Sequence, residues 1–137
     1  MKVKTAILAV LLLLAVSAGG WEPAEAPPAA ADVVQLYVRS VAAGDAEGIS
    51  ESTGEAVTPT DASGLSAYLL GHPGGMRVGR LELGEPLRTG REFNYLVRVV
   101  SADLPDGEVW VGVTVAKERG RWLVVVAGPA DSRGEAP

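Results

Sequence analysis

The chain predicts an α+β domain in which N-terminal helices pack on a curved antiparallel meander of four strands. Three observations carry that expectation. Apolar residues between Asp32 and Leu69 recur at the three-and-four spacing of a helical face. After His72-Pro73-Gly74-Gly75 they alternate instead, which is the period of a half-buried strand. Two short turn sequences, Leu104-Pro105-Asp106-Gly107-Glu108 and Glu118-Arg119-Gly120-Arg121, then join alternating segments into hairpins.

The 137 residues suit one core. At the N-terminus Lys2 and Lys4 precede an unbroken apolar run from Ala6 to Val16, followed by Ser17, Ala18, Gly19 and Gly20. That is the layout of a secretory signal peptide cleaved after Ala18, and the run is shorter than the ~20 residues of a membrane-spanning helix. The expectation is an exported chain, secreted or in the cell envelope. An uncleaved anchor is the competing reading. Cysteine is absent, which excludes disulfides and lipid attachment behind the apolar run. Residues 19–30, GGWEPAEAPPAA, read as a disordered Pro/Ala-rich linker, residues 31–127 as the folded domain and 128–137 as a disordered polar tail.

In the first helix Val33, Leu36, Tyr37, Ser40 and Val41 share a face, Asp32 is placed to cap the start and Gly44 to end it. Asp45 caps a short second helix holding Ile49. Thr60 or Asp61 caps a third with Leu65, Tyr68 and Leu69, ended by Gly71. Gly48 and Gly64 count against the second and third.

Four strands are expected: Met76 to Leu83 with a β-bulge near Gly79, Glu92 to Ala102, Glu108 to Lys117, and Arg121 to Ala127. A three-residue loop at Pro105-Asp106-Gly107 sets Val97 opposite Val115 and Val99 opposite Val113. The two-residue loop Arg119-Gly120 puts Val115 beside Val124 and Val113 beside Val126. One face then reads Tyr95, Val97, Val99, Val111, Val113, Val115, Trp122, Val124, Val126, and the helices should pack there. The opposite face, with Leu96, Arg98, Trp110, Leu123 and Val125, is too apolar for a surface meant only for water. A dimer of two stacked sheets is the simplest cover, and another exported protein is the alternative. Arg98 there calls for a carboxylate partner or for stacking on Trp110; a register wrong by one residue would instead turn Arg98 and Thr114 into the pocket and suit an anionic ligand.

Charge is uneven. From Gly19 to Gly75 eight acidic residues stand against Arg39 alone, whereas from Met76 onward there are nine of each sign. A nucleic-acid partner, which wants a basic face, is disfavoured, and so are anionic headgroups.

A helix ending in Gly44-Asp45, two further helices and a meander closing on VAKERGRWLVV resemble the nuclear-transport-factor-like (cystatin-related cone) superfamily over roughly residues 31–127. AAGDAEGI at 42–49 and the charged turn before Trp122 are similar to exported bacterial members. The resemblance implies a cone with an apolar pocket between helix and sheet, and dimers that pack through outer sheet faces. Enzymes of that superfamily use an Asp, His or Tyr in the pocket, and the inward strand face here offers Tyr95, with Ser101 at its edge.

Candidate sites follow. Tyr37, Tyr68 and Tyr95 are the pocket candidates, with core packing as the plainer explanation for the first two. An isomerase or dehydratase would use one of them with Asp61 and would need a buried carboxylate of raised pKa. Leu96, Arg98, Trp110, Leu123 and Val125 are the interface candidates. His72, the only histidine, falls in a helix-to-strand connection without partner ligands. Glu47, Glu51 and Glu55 form an acidic stripe if helical, which a solvated face explains better than calcium does. No catalytic residue, metal or cofactor is expected. The partners expected are a second copy or another exported protein and a small apolar ligand, with a membrane only where the leader stays uncleaved. The fullest reading is an exported, non-catalytic binding or assembly module, with a pocket enzyme or a membrane-tethered accessory subunit as alternatives.

Overall fold

The computed structural model describes residues 22–23 and 25–131, so the expected leader, residues 19–21 and 24 of the linker and the end of the tail lie outside the described residues. Among the described residues three helices pack against one curved antiparallel sheet, the α+β class that the sequence predicts.

Helix α1, Pro28–Ala43, starts inside the stretch read as linker. Its N-cap is Pro27 and not Asp32, which is exposed within the helix. Pro28 at the first helical position explains this start, because its fixed φ suits the helix and its missing N–H would have had no partner there. Gly44, at φ 73°, closes α1 and donates to Ser40 O and Val41 O. The Asp45 carboxylate then accepts from Glu47 N and Gly48 N and caps α2, Ala46–Thr53. Gly48 lies so near α1 that a Cβ there would sit 2.1 Å from Ser40 Oγ. The glycine that counts against α2 in isolation is what allows the two helices to meet. Helix α3, Pro59–Leu70, is capped by Thr58 in a reciprocal box with Asp61, so Asp61 supports the cap from inside the helix, and Gly71 closes it at φ 71°. The buried Ser66 hydroxyl, shared between Val41 O and Ala62 O, ties α3 to the last turn of α1.

Among the described residues the sheet has six strands and not four: β1 (Glu22–Pro23), β2 (Arg80–Leu83), β3 (Leu87–Thr89), β4 (Glu92–Val100), β5 (Glu108–Glu118) and β6 (Arg121–Ala130). Their order is β1-β3-β4-β5-β6, with β2 also paired to β4. The strand expected from Met76 shortens to β2, without the bulge near Gly79. Met76 is buried and donates its N–H to Ala42 O at 2.9 Å, so residues 76–79 connect helix to sheet. β6 runs three residues past the expected end.

Two registers differ from the sequence reading. On β4 and β5, Val97 faces Val111 and Val99 faces Val109. The chain leaves the ladder at Ser101 because Leu104 turns into the core, 6 % exposed, and Ser101 N–H closes the loop on Gly107 O at 3.0 Å. The slip is an even number of residues, so every side chain keeps its face. On β5 and β6 the Arg119-Gly120 turn, with φ 53° and 79°, sets Glu118 against Arg121 and Val115 against Val124 as expected. An irregularity then pairs Thr114 with Val126 and Val113 with Ala127, which leaves Val125 as the extra residue of a β-bulge. Val126 therefore lies outside, 62 % exposed, and Ala127 takes the inward position.

The core sits between the helices and the inward face of the sheet. Val34, Val38, Val41 and Ile49 meet Val97, Val99, Val111, Val113 and Val115, all essentially without exposure. Phe93 and Trp122 close one end, with ring centroids 5.7 Å apart.

Candidate functional site

Successive pairs across the sheet build its outer face. Glu82, Arg98, Trp110 and Ala130 form one row, Leu96, Gly112 and Gly128 the next, and Asn94, Thr114 and Val126 a third. Thr114 donates its hydroxyl to Asn94 Oδ1 at 2.7 Å, and the Asn94 amide reaches back to Leu87 O. Arg98 finds its partners within its own chain: Nε donates to Glu108 Oε1 at 2.5 Å and Nη1 to Glu82 Oε1 at 3.0 Å, while Arg80 Nε holds the other Glu82 oxygen at 2.6 Å. The hydrogen bonds from Arg98 and then Arg80 hold the Glu82 carboxyl below the usual carboxylate range, and those to Glu82 and Glu108 push the Arg98 guanidinium up. The faces that the sequence reading assigned to Arg98 and Thr114 are those observed, so the alternative of an inward-facing Arg98 does not arise.

Of the interface candidates, Leu96, Trp110 and Arg98 are half-buried and Val125 is 37 % exposed. The indole N–H of Trp110 is buried with no partner among the described residues. Leu123 is partly covered within the chain, since Gly54 at the end of α2 lies against its Cδ1.

The three pocket tyrosines do not converge. Tyr37 is in the core, where burial pushes its phenol up. Tyr68, placed by the helical spacing on an apolar face, is 63 % exposed. Tyr95, 4 % exposed, has its phenol pushed up to about 12 by burial and lines an open cleft of about 560 Å³. That cleft lies at the rim of the fold, between the first turn of α1 and the turn from β2 to β3, because valines fill the interior. Its walls include Pro27, Pro28, Leu83 and Pro86, with Glu25 and Glu85 exposed at the mouth. A second cleft of about 350 Å³ lies where α1 and α2 meet the turn after β5, against Leu36 and Trp122.

Other chemistry-bearing residues stay apart. No carboxylate among the described residues is buried, and Asp61 sits exposed in its capping box. A tyrosine paired with a desolvated acid, which an isomerase or dehydratase site would need, is absent among them. His72 is half-buried, with Nδ1 lacking a partner among the described residues. Glu47 and Glu51 are exposed on α2, and Glu55 lies beyond its end. Among the described residues no group of three or more His, Cys, Asp or Glu could hold a metal ion, and no helix is long and apolar enough to cross a membrane.

No family model, curated protein or solved structure matches the chain.

The sequence reading missed Glu82 and Glu108 as partners of Arg98, although Glu108 shares the outward phase of Trp110 and so was legible. It also missed Glu25, Glu85 and Pro86 at the cleft, for which no periodicity gives a signal.

Proposed function

We propose that this chain is an exported, non-catalytic assembly module that pairs with a second copy through the outer face of its sheet. The observation that carries the reading is an outer face on which Leu96, Trp110, Val125 and Val126 gather without a described helix packed over them. Charge favours a second copy over an acidic or basic partner, because the face carries two arginines and two glutamates in one network and so meets itself without net repulsion. Size supports it too. Four strands about 4.8 Å apart and eight residues of roughly 3.3 Å rise give an area on the order of 500 Å² per copy, near the ~1,000 Å² total that a specific interface needs. The bulge at Val125 and Pro129 guard the edge of β6, which no described strand pairs, against strand pairing, and this favours the face as the surface for association. Export rests on the leader-like residues 1–18.

Trp110→Glu tests the reading by sedimentation velocity. The parent chain is expected to sediment as a dimer and the variant as a monomer with unchanged far-UV circular dichroism. A parent chain that stays monomeric at every concentration sinks the proposal.

A further inference from the structure

Resting on the pairing of copies through the outer face, we propose that the two copies lock as knob and hole: the Trp110 indole of each sits over the Gly112–Gly128 pair of the other and donates its N–H to the Thr114 hydroxyl there. The hole lies in the middle of that face. Gly112 of β5 and Gly128 of β6 stand directly opposite each other in the outward phase, with Leu96 of β4 completing the row. Two adjacent strands therefore carry no side chain at this point. Neither glycine has a positive φ, so the backbone does not require one. Among the described residues a Cβ on Gly128 would meet nothing within 4 Å, and one on Gly112 only the Gly128 carbonyl oxygen at 3.8 Å. Glycine weakens a strand interior, and here neither backbone conformation nor crowding within the chain accounts for it. Close approach by a second copy does.

The knob stands one outward position away. Trp110 is half-buried on the same face, and its indole N–H is buried without a partner among the described residues. A desolvated donor left unpaired costs free energy, which an acceptor on a second copy recovers once the indole swings off its own sheet. The next outward position beyond Gly112 supplies that acceptor. Thr114 spends its proton on Asn94 Oδ1 at 2.7 Å, and the Asn94 amide is oriented by donating to Leu87 O and Thr89 Oγ1. The lone pairs of the Thr114 hydroxyl receive no donor among the described residues. Outward positions on one strand are about 6.6 Å apart, so the gap from Trp110 to Thr114 is about 13 Å long and admits an indole. Knob and hole are neighbours on β5, and a two-fold axis between them forms both contacts at once.

Gly112→Val gives the test its sign. A flat apolar contact would be strengthened by the added side chain, whereas a filled hole should weaken the dimer at least about tenfold by sedimentation equilibrium, with far-UV circular dichroism unchanged. Gly128→Val, at the more open position, should do the same. Thr114→Val keeps the shape and removes the acceptor, and should weaken the dimer roughly two- to tenfold. Trp110→Ala leaves holes without knobs and Gly112→Val knobs without holes, so an equimolar mixture should give mostly the heterodimer in native mass spectrometry, where one knob meets one hole. Three results each overturn the proposal: Gly112→Val and Gly128→Val chains that pair at least as tightly as the parent, a Thr114→Val chain that pairs as tightly as the parent, or a mixture with no more heterodimer than random pairing gives. All three are read against a parent chain that dimerises, so the pairing through the outer face survives them; a parent that stays monomeric overturns both.

Discussion

The hydroxyl of Tyr95 and the carboxylate of Asp103 make opposite demands on pH. Tyr95 keeps its proton to about 12 in the folded chain, against an ordinary value near 10. An unfolded chain loses that proton first, so stability is expected to fall as pH rises from about 10 through 12. Melting curves across that range should lose steepness in pH for Tyr95→Phe, with Tyr37, also raised by burial, supplying what remains. An unchanged slope would contradict the burial of the phenol. Asp103 titrates low, first because it accepts the backbone N–H of Arg77 at 2.9 Å and then because it accepts the guanidinium at 3.2 Å. Its contribution is present above the ordinary carboxylate pKa of about 4 and lost as pH falls through the lowered value. Asp103→Asn should therefore lose less of its melting temperature than the parent between neutral pH and about pH 2.

Between elements, the close approach of α1 and α2 and the bulge of β6 are the features on which the packing turns. Gly48→Ala places a methyl 2.1 Å from Ser40 Oγ and 2.9 Å from Ser40 Cβ, so the helices must separate. The expected cost in denaturant unfolding is about 1–3 kcal/mol, whereas Gly64→Ala, with open space around it, should be neutral or stabilising. On β6, Val124→Ala should cost on the order of 2 kcal/mol and Val126→Ala less than about 0.5 kcal/mol, since the first is 6 % and the second 62 % exposed. Equal costs would restore the unbroken alternation that the sequence suggests. Three consecutive valines, 124–126, fit either face, and that is why the bulge was not legible. Where chemistry is local the sequence was sufficient: Gly44, Asp45 and Gly71 do what their residue types require. Where a long-range contact decides, it was not. Leu104 entering the core moved the hairpin register, and Tyr68 faces solvent because α3 turns Ser66, Leu69 and Leu70 inward, with Ser66 bonded to Val41 O of α1.

For the molecule as a whole, an acidic helical half is joined to a charge-balanced sheet, and four of the balancing charges, Arg80, Glu82, Arg98 and Glu108, meet on the apolar outer face. The inward face and the helices form one cysteine-free core, so melting temperature should be the same with and without reductant. The sheet contributes both surfaces of interest, Trp110 and its neighbours outward and Tyr95 inward, from alternate positions of the same strands. That alternation was readable from the sequence; the displacement of the cavity to the rim was not, because it follows from how fully the valines fill the interior. The central claim is that the outer face meets a second copy of the chain. Native mass spectrometry of the protein exported from a bacterial host tests it most directly, since one spectrum reports both the N-terminus and the subunit count. The account predicts a dimer whose chains begin near Gly19. A monomer, or a chain that keeps Met1 to Ala18, would contradict it.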